Sequence, residues 1–142
     1  MSASCAFCRV IAGEQDAHLV HDGPVGVAFL DHRPLFPGHT LVVPRAHRET
    51  LRDVPPDGLG DLFALVQAVT EAVETAMESH GSFVAMNNRV SQSVPHLHVH
   101  VVPRNPKDGL RGFFWPRNPY EEDDHAAAVA KRVREAIDRV LR

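Results

Sequence analysis

Three histidines stand at alternate positions in SVPHLHVHVVPR, residues 93–104: His96, His98 and His100, with Leu97 and Val99 between them. Imidazole is the side chain whose ordinary charge change falls near neutral pH, so it can attack, shuttle a proton or ligate a metal there. Two chemistries are open to the trio. Alternate histidines on a strand are a common way to hold zinc, and the same rings can supply a nucleophile with an acid–base partner beside it. Cys5 and Cys8, in SCAFCRV, have a spacing that favours reduced thiols or half of a metal site over a disulfide. Asp31 closes the apolar run VGVAFLD. An acid there either caps a turn or binds something, and its two oxygens suit a ribose diol.

The elements that must position these groups follow from periodicity. On a strand the three histidines share one face, while Leu97, Val99 and Val101 point to the core behind. The register is fixed because a one-residue slip would bury all three imidazoles. Val25–Asp31 and TLVVP (Thr40–Pro44) read as strands joined by the loop HRPLFPGH, which predicts antiparallel pairing. Leu59, Leu62, Phe63, Val66, Val69, Val73 and Met77 form the stripe of an amphipathic helix, with Asp57 at its start and Gly81 at its end. SFVAMNN reads as a strand turning at Asn87 and Asn88, and PHLHVHVVP as another. A last helix, roughly His125 to Leu141, is expected to bury Val129, Val133, Ile137 and Val140. The order predicts an α+β domain over residues 1–142: an antiparallel sheet of about five strands, one main helix and a C-terminal helix.

The totals narrow the function. At 142 residues, 44% hydrophobic and 23% charged, the composition is that of one globular domain. A net charge of −3 and a pI near 6.3 give no blanket affinity for nucleic acid, so any nucleotide it handles is small. The sequence has no apolar run approaching the length of a membrane span and no signal-peptide pattern at MSASCAFCRV, so the expected location is cytoplasmic.

HLHVHVVPR resembles the signature of the histidine triad (HIT) superfamily of nucleotide-binding hydrolases and transferases. FLDHRPLFPGHTLVVPRAH (Phe29–His47) resembles that family's first strand pair, CAFCRVIAGE the opening of its zinc-bearing bacterial members, and NNRVSQSVPH the loop before the triad. The four blocks cover roughly residues 5–104 in the family's order. The resemblance implies that His98 attacks the α-phosphorus of a nucleoside phosphate derivative, giving a nucleotidyl-imidazole that water breaks down, with His100 serving the leaving group. It implies phosphate contacts from Asn87, Asn88, Gln92 and Ser93, without choosing between the two asparagines. Phe7, Val10, Phe29 and His32 would flank a purine base, and Asp31 would hold the ribose. Cys5, Cys8, His47 and His96 would form a structural zinc site, and the chain would be a homodimer. His39 falls in a Gly-His step that relatives share and reads as a structural contact near the site. His18, His21, His80 and His125 read as solvated surface.

Two places depart from the family pattern. Ser91-Gln92 stands where relatives usually carry Gly-Gln, in a shorter loop that contains Arg89. GLRGFFWPRNPY concentrates Phe113, Phe114, Trp115 and Tyr120 near Arg111 and Arg117, a composition typical of interfaces and ligand rims. Two rival readings stay open at this stage: a nucleotide-binding or sensing module with little turnover, and a metal-binding protein whose three triad histidines all hold zinc.

Overall fold

The computed structural model describes residues 4–111 and 117–141. These group into two compact units, Met1–Asp108 and Gly109–Arg142. The first contains α1 (Ala6–Ile11), β1 (Leu19–Asp22), β2 (Gly26–Leu30), β3 (Thr40–Pro44), α2 (Leu59–Met77), β4 (Gly81–Ala85) and β5 (Val99–Arg104). The five strands form one antiparallel sheet in the order β1-β2-β3-β5-β4. The α+β architecture expected from the sequence is therefore present.

Both faces of the central strands are covered. On one side Val66, Val69 and Val73 of α2 pack on Ala28, Val42, Val99 and Val101. On the other, Phe7 and Val10 of α1 pack on Val27, Phe29, Leu41 and Val43. That is why GVAFL and TLVV are continuous apolar runs rather than alternating ones. Gly26 is required by close approach, since a Cβ there would lie 2.4 Å from the Val43 carbonyl oxygen.

Double coverage corrects the reading of the triad. The strand begins at Val99, not at His96, and the faces do not divide into wet histidines and dry aliphatics. His96 and His98 are buried as deeply as Leu97 and Val99, at 0% and 3% exposure. Before the strand starts, the Leu97 N–H donates to the Arg48 carbonyl at 2.6 Å, which holds the segment beside the chain leaving β3.

Smaller differences have local causes. Asp57 lies in a 3₁₀ turn, Pro56–Gly58, and Gly58 rather than Asp57 caps α2. The helix ends at Met77 with Glu78 in the left-handed region, its N–H and that of Ser79 closing onto Glu74, so Gly81 instead opens β4. Phe63 and Met77 remain 38% and 41% exposed, so the buried stripe is narrower than the apolar one. β1, whose residues are all exposed, is an edge strand that sequence periodicity did not locate.

In the second unit, α3 (Asp123–Val140) forms where a helix was expected, with Asp123 and Asp124 favouring its positive N-terminal end. Its stripe is not buried: Val129 is half-buried, while Val133, Ile137 and Val140 are 53%, 49% and 81% exposed. Helix-favouring Ala, Arg, Glu and Lys account for the helix without that burial. Tyr120 is exposed and packs edge-on to His125. Phe113, Phe114 and Trp115 lie outside the described residues. No helix among the described residues is long and apolar enough to cross a membrane.

Candidate functional site

His98 owes its orientation to its own backbone. Its Nδ1–H donates to the His96 carbonyl at 2.8 Å, so the neutral ring presents the Nε2 lone pair. Phe7 stands edge-on to this ring at 5.0 Å, and the His100 ring also lies 5.0 Å away. A buried imidazole with a fixed tautomer and one open basic nitrogen is the form a histidine nucleophile requires.

A chain of hydrogen bonds sets the neighbouring ring. The Leu35 N–H donates to His39 Nδ1 at 3.0 Å, so His39 carries its proton on Nε2. That N–H donates to His100 Nδ1 at 2.9 Å, which leaves the His100 proton on Nε2. Asp31 Oδ2 lies 3.6 Å from His39 Nε2. Burial, reinforced by His98 and His39, lowers His100 to about 4 against the opposing pull of Asp31. Burial also lowers His39, again opposed by Asp31. His100 is therefore a neutral N–H donor at pH 7, its ring 5.0 Å from that of His98. The sequence reading missed this role of His39. Its signal was the pairing of Asp31 and His39 across one loop, where the Asp31 N–H meets the His39 carbonyl at 2.9 Å.

Cys5, Cys8, His47 and His96 come together as expected, and their four ligand atoms can hold a metal ion. Cys5 caps α1, receiving the Cys8 N–H on its sulfur at 3.4 Å, so three-residue spacing aims both thiols the same way. His96 Nδ1 lies 3.5 and 3.6 Å from the two sulfurs and 3.2 Å from His47 Nδ1, and Cys8 Sγ lies 3.2 Å from His47 Nδ1. His96 Nε2–H donates to the Pro44 carbonyl at 2.9 Å, turning its lone pair toward the thiols. Burial lowers the pKa of this ring. A second group, Asp31, His39 and His100, has the same property, and His98 belongs to neither. Among the described residues the triad thus does not converge on one ion, which removes the three-histidine zinc reading.

An open cleft of about 690 Å³ lies against α1 and is lined by Phe7, Val10, Phe29 and His32 among others. Phe7 and Phe29 meet edge-to-face at 5.3 Å, and both are buried, so they serve the core as well as the wall. His32 is at the rim, its side chain 92% exposed. Asp31 does cap a turn, its Oδ1 accepting the Arg33 N–H at 3.0 Å, while its Oδ2 faces His39.

Residues 12–107 match the HIT domain. The chain belongs to the HIT domain family. It is 35% identical to an uncharacterized HIT-like protein of Mycobacterium tuberculosis over 138 residues, 94% of this chain and 92% of that one. It is 31% identical to an adenosine 5'-monophosphoramidase of Candida albicans over 127 residues, 85% and 84% of the two chains. A Zn-bound histidine triad family protein from Mycobacterium smegmatis superposes with a TM-score of 0.71 at 32% identity, over 93% of this chain and 97% of that one.

The loop before the HIT triad is tied down by its own polar side chains. Asn88 Oδ1 accepts the Leu51 N–H at 2.9 Å, and Asn87 Nδ2 donates to the Ser91 carbonyl at 3.3 Å. Gln92 accepts the Arg89 N–H at 2.8 Å and donates to the Glu49 carbonyl at 2.6 Å. Ser93 is exposed and shares a recess with Cys5 and His47. Arg89 and Ser91 sit at φ 72° and 61°, the left-handed region that favours glycine. Ser91 occupies that strained position where the family pattern has glycine.

Proposed function

We propose that this HIT protein is a nucleotide hydrolase or transferase acting at the α-phosphate of a nucleoside phosphate derivative, a phosphoramidate or a dinucleoside polyphosphate. The observation that carries the reading is the pairing of two fixed tautomers. His98 offers a lone pair at Nε2, and His100 beside it offers an N–H at Nε2. In the reaction, His98 Nε2 bonds to phosphorus as the bond to the leaving atom breaks. The Nδ1–H of the resulting cationic ring stays on the His96 carbonyl, while His100 donates a hydrogen bond to the departing atom where charge develops. Water then attacks the same phosphorus, the P–N bond breaks with its electron pair returning to His98 Nε2, and the proton lost by the water passes to solvent. Asn87, Asn88, Gln92 and Ser93 are the proposed phosphate donors, the cleft at Phe7, Val10, Phe29 and His32 takes a purine, and Asp31 takes the ribose. A homodimer is the assembly this reading carries with it. The name of the Candida relative supports the substrate class.

The four-ligand cluster is proposed to hold zinc. A zinc ion at its usual bond lengths sets tetrahedral edges of about 3.3–3.8 Å between sulfur and nitrogen ligands. The distances of 3.2–3.6 Å among these atoms fit that spacing, and a zinc-bound relative shares the fold. A closed Cys2His2 site contributes folding energy rather than chemistry.

The test is to mix the protein with adenosine 5'-phosphoramidate, quench in alkali and look by mass spectrometry for an adenylylated peptide containing His98. An adduct in the wild type, with turnover abolished in His98→Ala, is the expected result. Turnover that survives His98→Ala would overturn the reading. Binding without adduct or turnover would favour the sensing module instead.

A further inference from the structure

The cleft beside α1 is not apolar throughout. Phe7, Val10 and Phe29 form its walls, and its remaining lining includes Gln15, Asp16, His18 and His32, all exposed. These polar groups follow from a local turn. After α1 the chain reverses at Gly13, φ +77°, with the Gly13 N–H on the Val10 carbonyl and the Glu14 N–H on the Arg9 carbonyl. The reversal brings Gln15 and Asp16 back beside the helix face that carries Phe7 and Val10. The Gln15 side chain is oriented, because its Oε1 accepts both Arg9 Nε–H at 3.3 Å and Arg9 Nη2–H at 3.0 Å. With its oxygen engaged, Gln15 has its amide N–H groups to offer. The Asp16 carboxylate can only accept.

An apolar slot takes any flat base, and the rim decides which. Guanine carries, on one edge, an acceptor at O6 followed by donors at N1 and the 2-amino group. Adenine carries a donor at its 6-amino group next to an unprotonated N1. A carboxylate accepts both guanine donors at once, and a neighbouring amide N–H suits O6. Against adenine the carboxylate meets one donor and one lone pair, and the lone pair repels it. The imidazoles of His18 and His32 can donate or accept, so they do not discriminate between the purines. We propose that Asp16, with Gln15 beside it, makes this cleft select guanine over adenine. The inference rests on the nucleotide-binding reading above and specifies its base.

Calorimetric titration with GMP, AMP and IMP tests it. A charge-assisted pair on an exposed rim predicts GMP tighter than AMP by about ten-fold, less than the same pair would give if buried. IMP, which keeps N1–H and O6 but lacks the 2-amino group, falls between them. Asp16→Asn and Asp16→Ala, both changes at an exposed turn, bring the GMP/AMP ratio to within about two-fold, while Asp16→Glu retains a preference. Equal binding of GMP and AMP by the wild type, or a ratio unchanged in Asp16→Ala, would overturn base selection and leave the nucleotide reading standing. Failure of all three nucleotides to bind would overturn both.

Discussion

Lowering the pH from 7.5 to 5.0 protonates an ordinary histidine in the unfolded chain but leaves His100 largely neutral in the fold. Its value drops from 6.5 to about 4, mainly by burial, then by His98 and His39, with Asp31 opposing. Between those two values the unfolded state binds more protons than the native one, so stability rises with pH. The contribution is complete above pH 6.5, declines below it and is exhausted below about pH 4. At 1.36 kcal/mol per pH unit the ceiling is about 3.4 kcal/mol, of which about 2 kcal/mol is lost by pH 5.0. His100 is only half-buried, and solvent screening trims the expected loss to about 1–1.5 kcal/mol. Urea unfolding of wild type and His100→Asn at both pH values isolates the effect. Contributions common to both proteins cancel in the difference, apart from those of His98 and His39, which interact with the replaced ring. The variant is expected to lose about 1–1.5 kcal/mol less than the wild type on acidification. Equal losses would refute the claim that burial holds this ring neutral.

Cys8→Ser should lower bound zinc well below one per chain by elemental analysis and reduce the melting temperature, because it removes one ligand of the proposed closed site; His98→Ala should retain the metal. Ser91→Gly should raise stability by about 1 kcal/mol in urea, since glycine occupies φ +61° without the penalty serine carries. A stability loss there would mean that the Ser91 side chain contributes more than its backbone costs.

Much of the scaffold was legible because it rests on simple periodicities. GVAFL, TLVV and the valines of α2 announce themselves as buried runs and a helical stripe, and they form the layers that carry the site. The strand reading of 96–100 failed for a definite reason. A period of two tells which residues share a face, but it says nothing about whether that face is wet. Here α1 covers the face that the histidines occupy, and the residues that do so, Phe7 and Val10, stand far away at the start of the chain. The α3 stripe failed in the opposite sense: the pattern forms the helix without specifying what its apolar side meets. Cys5, Cys8, His47 and His96 could be grouped only through the family resemblance, because no local pattern joins positions 8 and 47. Of the His39 relay the sequence carries only the placement of Asp31 and His39 across one loop; the tautomers were not legible, because a tautomer is set by where the other nitrogen points.

Two residues of spacing explain how one segment can serve both candidate sites. The His96 ring is turned by the Pro44 carbonyl toward the thiols, whereas the His96 carbonyl turns the other way and takes the His98 N–H. Side chain and main chain of one residue therefore face different tasks. Rotation of the His96 peptide would lengthen the 2.8 Å bond that fixes His98, and the His98 ring would then be free to present either nitrogen. Anchoring His96 from three sides, through Pro44, Cys5 and Cys8, restrains that rotation. The His98 tautomer thus depends on the cluster that anchors His96, much as the His100 tautomer depends on His39.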